Sequence, residues 1–289
     1  MSDYIITSDS TCDLPEEYIA KHQIPIIPLY YSLENIIYGG DKKLEPHMFY
    51  EKMRLGLMPT TMASNPEVAE QCFRKILDNG QDILHIGFSS ALSSSYNSAA
   101  IVGRELSDEY PDRKIIVIDS LCASLGQGMF VHKALELKNS GNSIEQTAKW
   151  LESHKENFTH LFTVDDLNHL YRGGRVSKAT AIIGTLASIK PILHVDSEGR
   201  LIPLSKTRGR KKSLHKLVEM MDDLIKGWEK ENSTIFISHG DCIEDAEFLA
   251  DCIRDKFGIK NIIINMVSPT IGAHSGPGTV ALFFLGQHR

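Results

Sequence analysis

Short, β-branched apolar runs alternate along the chain with stretches whose apolar residues recur every three or four positions. The first pattern predicts strands at Tyr4–Thr7, Ile83–Phe88 and Lys114–Ile118, then at Leu161–Val164, Thr234–Ser238, 261–266 and 279–285. The second predicts helices over 46–57, Pro66–Asn79, Ser93–Leu106, 124–139 and 143–156. Further helices are predicted over 165–171, 177–188, Gly209–Trp228 and Glu244–Phe257. Asp13-Leu-Pro-Glu reads as a capping box with proline in the first turn of a helix reaching about His22. Ile24–Tyr31 is apolar, but Pro25 and Pro28 push it to a sheet edge or an irregular extended path. Met58–Asn65 reads as a turn. Ile192–Val195 and Arg200–Pro203 flank Ser197-Glu-Gly-Arg and predict a hairpin.

Alternating strands and helices imply an α/β protein with parallel sheet, and the hairpin gives the second half an α+β character. A chain of 289 residues accommodates one large domain or two ordinary ones. The expected division is an N-terminal domain, 1–157, with an open, mostly parallel sheet and flanking helices, and a C-terminal α+β domain, 158–289. Composition fits a globular protein, with 42% hydrophobic and 24% charged residues. A net charge of −6 argues against nucleic acid as a partner. The first residues lack the pattern of a secretory leader and no apolar run approaches bilayer length, so a cytoplasmic protein without a transmembrane segment is expected. Five cysteines without a C-x-x-C pair suggest free thiols and no zinc site, and Cys252 reads as a small buried apolar group.

Phosphate-loop, dinucleotide and zinc-hydrolase motifs do not occur in the sequence. Asp9-Ser-Thr-Cys-Asp13 ends the first strand and reads best as an Asx-turn with a helix cap. Phe88-Ser-Ser-Ala-Leu-Ser-Ser-Ser-Tyr96 is more informative, because Ser89, Ser90, Ser93, Ser94 and Ser95 crowd a strand-to-helix connection. Capping needs one or two of them. The surplus makes a hydroxyl-rich helix start, where backbone N–H groups favour an anion such as a carboxylate or phosphate. Gly87-Phe-Ser89-Ser-Ala91 also approaches a nucleophile elbow. A serine esterase using Ser89 or Ser93, with Asp119 or Asp241 and His274, is therefore the alternative from another class.

Two loops add candidates. Pro59-Thr-Thr-Met-Ala-Ser-Asn-Pro66 sets paired hydroxyls in a turn, and Gly272-Ala-His-Ser-Gly-Pro-Gly278 presents one histidine in a glycine-rich loop. Arg172-Gly-Gly-Arg175 opens a helix, and Lys206–Lys212 holds five basic residues in seven positions. That run is a solvated face or a contact for an acidic or phosphorylated partner.

In order, Asp9-Ser-Thr, Pro59-Thr-Thr61, Ser93-Ser-Ser-Tyr96, Asp119-Ser120 and Val164-Asp-Asp-Leu167 form a pattern over the first part of the chain. It continues through Arg172-Gly-Gly-Arg-Val-Ser177, Gly184-Thr-Leu186, Lys190-Pro191 and His274-Ser-Gly-Pro-Gly278. The ordered set resembles the DegV family of fatty-acid-binding proteins, which includes the acyl-carrier subunits of bacterial fatty acid kinase. The resemblance implies two α/β domains with a long-chain fatty acid, such as palmitate, buried in a tunnel at their junction. It implies no catalytic activity and no cofactor, with a separate kinase as partner. By the same resemblance Thr61, Ser93 and His274 hold the carboxylate, helped by Ser94 and Ser95 through their backbone N–H groups. Arg172, Arg175, Lys206, Arg208 and Arg210 are candidate phosphate or partner contacts. Met62-Ala63 after Thr61, and Ser94 after Ser93, depart from the family pattern of Ser-Gln and Gly.

Overall fold

The computed structural model describes residues 4–177 and 188–289. The helix expected over 177–188 therefore lies outside the described residues except at its two ends, as does Gly184-Thr-Leu186. In the first half the strands are β1 (Tyr4–Asp9), β2 (Ile26–Ile27), β3 (Tyr30–Leu33), β4 (Ile36–Tyr38), β5 (Thr60–Met62), β6 (Asp82–Gly87) and β7 (Ile115–Asp119). The helices are α1 (Glu16–His22), α2 (Pro46–Arg54), α3 (Pro66–Asp78), α4 (Ser95–Glu109), α5 (Leu125–Asn139) and α6 (Ile144–Ser153). One sheet, in the order β2-β1-β6-β7, is parallel throughout. Residues of β6 are buried along its whole length, as parallel strands covered on both faces require.

The second half contains β8 (Phe158–Thr163), α7 (Leu167–Arg172), β9 (Ile189–Val195), β10 (Leu201–Arg208), α8 (Arg210–Leu224) and β11 (Thr234–His239). It ends with α9 (Ile243–Phe257), β12 (Asn261–Met266), α10 (Pro269–Ser275) and β13 (Val280–Leu285). Its sheet runs β10-β9-β8-β13-β11-β12. The last strand enters the middle, antiparallel to both β8 and β11. Only β11 and β12 pair in parallel there, so this sheet is mixed.

Helix α5 packs on β1 and β6 of one sheet and on β8, β11 and β13 of the other. Such a helix must be apolar nearly all round. Accordingly Leu125, Met129, Phe130, Val131, Ala134 and Leu135 are all buried. No helix among the described residues is long and apolar enough to cross a membrane.

Several local expectations are corrected. Thr60–Met62 is a strand rather than a turn, with Thr61 opposite Tyr31 in an antiparallel three-stranded sheet, β4-β3-β5. Paired threonines suit an edge strand as well as a turn, and composition does not separate the two. Strand β4 was not expected; Leu33 pairs with Ile36 across Glu34 and Asn35, both at positive φ. A tight hairpin of this kind usually announces itself with Asn-Gly or Asp-Gly. The glycine-rich segment around His274 is not a loop. Ser268 and Pro269 start helix α10, which ends at Gly276. Helix α4 begins at Ser95 rather than Ser93, and Arg172 closes α7 instead of opening a helix. Cys252 is half-buried on α9 rather than fully enclosed, and all five cysteines are free thiols.

Asp13 does not cap α1, whose N-cap is Pro15 without a side-chain bond. Asp13 instead turns inward at φ 51° and is 5% exposed. Its carboxylate accepts from Ser124 Oγ at 2.5 Å, and Ser124 Oγ lies 2.7 Å from Ser238 Oγ on β11. Asn265 Nδ2 donates to the Asp13 carbonyl at 2.7 Å. The two sheets are thus tied through one buried carboxyl. Burial pushes that carboxyl from the ordinary 3.8 up to about 7.

A raised acid keeps in the folded chain a proton that the unfolded chain has released. Its stabilisation is complete below about pH 4 and is lost as pH rises through about 7. Asp13→Asn, compatible with the left-handed backbone, should flatten the stability profile over that window by up to about 1.4 kcal/mol per pH unit. Urea unfolding of both proteins at pH 5 and pH 7.5 measures this, and an equal drop in the two would contradict the assignment.

Candidate functional site

Between the two sheets lies a cavity of about 170 Å³. Its apolar wall comes from both halves: Leu29, Phe88 and Leu92 on one side, and Phe162, Val195, Leu201, Ala281 and Phe283 on the other. Polar groups gather where Thr61, Ser93, Ser94, Arg175 and His274 meet. Sequence reasoning did not name the apolar wall. The available signal was the two-residue alternation Thr279, Ala281, Phe283, which places all three on the cavity face of the last strand.

The connection from β6 to α4 is fixed from below by Asp9, 2% exposed. Asp9 accepts from Thr11 N at 3.2 Å, Phe88 N at 2.9 Å and Gln127 Nε2 at 3.0 Å. The expected Asx-turn is present, but the carboxylate also pins the serine-rich loop to α5. Burial raises the Asp9 pKa, and these hydrogen bonds oppose the shift. Farther along, Asp119 Oδ1 accepts from Ser90 N at 3.2 Å and from Leu121 N at 3.0 Å. The Leu92 carbonyl accepts from Arg175 Nε at 3.1 Å and Nη2 at 2.8 Å. Each loop residue from 88 to 92 except Ala91 is held by a hydrogen bond to a neighbouring element. The hydroxyls that follow are therefore presented by a rigid support.

Ser93 Oγ lies 2.9 Å from Ser95 Oγ and accepts from Ser95 N at 3.2 Å. Ser95 Oγ in turn accepts from Ser64 N at 3.2 Å. The Ser95 N–H is thus engaged within the loop, contrary to its expected role as a donor to a ligand. Ser95 is buried and orients Ser93. Ser94 is exposed at the N-cap of α4.

Thr61 Oγ1 lies 2.8 Å from His274 Nε2, joining β5 to α10 across 213 residues of chain. Nδ1 of His274 is buried and has no hydrogen-bond partner among the described residues. Burial first, and then the positive Arg175, lower the His274 pKa to about 4, so the ring is neutral near pH 7. A neutral imidazole facing a threonine hydroxyl leaves one donor for a third group, whichever tautomer it adopts.

The other basic candidates separate. Arg175 belongs to the cavity wall, its burial lowering its pKa. Arg172 is exposed at the end of α7 and donates to His169 Nδ1 at 3.0 Å. Lys206 and Arg208 are exposed on the edge strand β10. Arg210 departs from the expected free contact: its Nε bonds Asp245 at 2.9 Å and its side chain is 19% exposed.

The esterase arrangement is not assembled. Ser89 Oγ donates to the Gly199 carbonyl at 2.9 Å, and Ser89 is fully buried. Asp241 pairs with His47 at 2.8 Å and with Arg54 rather than with His274. Ser93 has Ser95 for a partner, and His274 has Thr61. Among the described residues no group of three or more His, Cys, Asp or Glu side chains is placed to hold a metal.

An α/β protein whose two larger sheets flank a mostly apolar cavity that also presents hydroxyls, an imidazole and a guanidinium has the form of a small-molecule binding protein for an amphipathic ligand. The family model described as "Uncharacterised protein, DegV family" matches residues 4–287, and the chain belongs to the DegV family. A DegV domain-containing protein of Clostridium perfringens is 42% identical, with 100% of this chain and 99% of the relative covered. A solved structure described as fatty acid binding of a DegV family protein, from Thermus thermophilus, is 28% identical with a TM-score of 0.87, covering 99% of this chain and 100% of that one. A structure described as a DegV lipid-binding protein, from Thermotoga maritima, is 30% identical with a TM-score of 0.85, covering 99% of each chain.

One glycine tests the geometry of the polar end. A β-carbon at Gly173 would lie 2.0 Å from His274 Nδ1. Gly173→Ala should push the ring off Thr61 toward water, moving its pKa from about 4 toward the ordinary 6.5. An NMR titration of the His274 ring reads this directly. An unchanged midpoint in the variant would show that Gly173 does not seat the ring.

Proposed function

We propose that this protein binds a long-chain fatty acid in the cavity between its sheets and performs no chemistry on it. The observation that carries the reading is the cavity's lining, predominantly apolar, with Thr61, Ser93, Ser94, Arg175 and His274 among its polar members. The fatty acid and lipid named for the Thermus and Thermotoga relatives support it. In this reading residues 1–157 and 158–289 form the two units, and the acid lies between them.

The carboxylate is received by the hydroxyls of Thr61 and Ser93, the backbone N–H of Ser94 and the His274 ring, with Ser95 holding Ser93. Burying about 14 methylenes of a palmitate-length chain contributes on the order of 11 kcal/mol as an upper bound. Desolvating a carboxylate opposes this by several kcal/mol unless donors meet it, which is the task of the polar end. Arg175, fixed on the Leu92 carbonyl beside His274, adds a positive charge there.

The purified protein should carry a C14–C18 fatty acid in about one-to-one ratio, detected by native mass spectrometry and lipid extraction. After delipidation, Ser93→Ala should weaken binding by about 10- to 150-fold, since a hydrogen bond to a charged group contributes roughly 1.5–3 kcal/mol. Thr61→Val should weaken it less. Delipidated protein that takes up no long-chain acid would overturn the reading, and undiminished binding by both variants would overturn the head-group assignment alone.

The bound acid is presented to a separate fatty acid kinase for conversion to an acyl phosphate. The exposed cations Arg172, Lys206 and Arg208, on a chain of net charge −6, supply the acidic-partner contact. Lys206→Glu with Arg208→Glu should leave fatty-acid binding intact and slow acyl-phosphate formation. The parent's advantage should shrink as salt rises past roughly 0.15 M, where the screening length is about 8 Å. Equal rates for parent and variant at low salt, both fully loaded, would assign these charges to solvent.

A further inference from the structure

The loop from β7 to α5 is strained. Leu121 stands at φ 53° and Ser124 at φ 54°, ψ −144°, backbone regions that residues other than glycine rarely occupy. Such conformations persist only where the surroundings over-determine them. Within the loop, Ser120 Oγ donates to the Gly87 carbonyl at 2.7 Å, and Asp119 Oδ1 and Ser120 Oγ accept from the N–H groups of Leu121 and Cys122. From outside, the loop is held by Arg289, which follows β13 and is 5% exposed. Its Nη2 donates to the Ser120 carbonyl at 2.9 Å, its Nη1 to the Leu121 carbonyl, and its Nε to the Lys155 carbonyl at 3.0 Å. Nη2 also lies 3.5 Å from Cys122 Sγ. Among the described residues its partners are therefore carbonyls and a thiol rather than a carboxylate. A buried cation met in this way is costly to keep.

The loop in turn holds the serine-rich connection. The Cys122 carbonyl accepts from Ser89 N at 3.0 Å, and the Ser89 carbonyl accepts from Ser93 N at 3.1 Å. A guanidinium presents its donors in a planar fork. By gripping the carbonyls of Ser120 and Leu121 it fixes the peptide planes on both sides of the Leu121 α-carbon. The next carbonyl along the chain is that of Cys122, the one that receives Ser89.

We infer that Arg289 is a positioning residue for the head-group site: by fixing Leu121 it aims the Cys122 carbonyl at Ser89, and so sets where Ser93 presents its hydroxyl. The inference rests on the fatty-acid reading above and adds to it a residue from outside the cavity lining. Without the guanidinium, Leu121 relaxes toward ordinary backbone angles and the Cys122 carbonyl leaves Ser89 N. Ser93 then loses the support of the Ser89 carbonyl. The apolar wall supplied by Phe162, Val195, Ala281 and Phe283 stands on other elements, so a charged head group loses more than an alkyl chain does.

The test uses the delipidated full chain and measures Kd for hexadecanoate and for hexadecan-1-ol, which keeps the alkyl chain and lacks the charge. The ratio of the two isolates the head group. Arg289→Gln should lower the preference for the acid over the alcohol by about 10-fold, the loss expected for a misplaced hydrogen bond to a charged group. Arg289→Lys keeps the charge without the planar fork and should lower it by about 3-fold. Equal weakening of acid and alcohol in Arg289→Gln, or no weakening of either, would overturn this inference alone. Should that variant not fold, an acid-to-alcohol ratio in Arg289→Lys equal to the parent's would overturn it in the same way. A parent that binds neither compound, or both alike, would overturn the head-group reading and this inference with it.

Discussion

The structure depends on the fit of one helix between two sheets. Gly126 and Gly128 of α5 are two residues apart, which on a helix places them on nearly opposite sides. A β-carbon at Gly128 would come within 2.6 Å of the Cys12 carbonyl, and one at Gly126 within 2.1 Å of His160. Each glycine sacrifices about 1 kcal/mol of helix propensity relative to alanine. In return the helix touches backbone on one side and strand side chains on the other. Residue size at these two positions therefore sets how closely α5 approaches the turn after β1 on one side and β8 and β13 on the other.

The same helix carries the polar linkage that turns close packing into a defined site. Gln127, between the two glycines and fully buried, donates to Ser8 Oγ, Asp9 and the Ile86 carbonyl, and accepts from Thr11 Oγ1 at 3.0 Å. Asp9 holds the N–H of Phe88, which starts the serine loop. One residue before α5, Ser124 joins Asp13 to Ser238. Around Gln127 and Asp9 this buried network is paired throughout and specifies one arrangement, because any other leaves a desolvated polar group without a partner. Thr61, Ser93 and His274 stand on three different elements, so their convergence inherits its precision from this packing.

Most of the fold was legible because its strands and helices obey their periods. The run Asn261–Met266 appears in the sequence with the same ends as in the structure. Thr61, Ser93 and His274 were legible only as an ordered pattern resembling a family, since each residue alone has a bland reading. What stayed hidden was long-range. Thr61 looked like a turn because nothing local reports that Tyr31 pairs with it. His274 looked like a loop residue because its glycines answer to distant neighbours: β-carbons at Gly272, Gly276 and Gly278 would meet Tyr50, His169 and Asp165 within 2.4 Å. Arg210 looked like surface charge because Asp245 lies 35 residues away. The sequence of β8, Phe-Thr-His-Leu-Phe-Thr, gives no sign that its histidine faces a cavity, since β8 is buried throughout.

The proposed anion site lies at the seam, and that position has a mechanical consequence. A ligand gripped by a single element could be released by local fraying. On the proposed reading the donors come from β5, from the loop before α4 and from α10, while the apolar wall of the cavity comes from both sheets. An occupant therefore bridges the halves and adds its contacts to those of α5. Binding that favours the assembled form stabilises the junction by mass action, and what loosens the junction weakens binding by the same free energy. The Asp13–Ser124–Ser238 chain lies on that seam. Its one titratable group gains charge as pH rises through about 7, so on the proposed reading the contact between the halves and the binding of an acid between them are coupled through the same carboxyl.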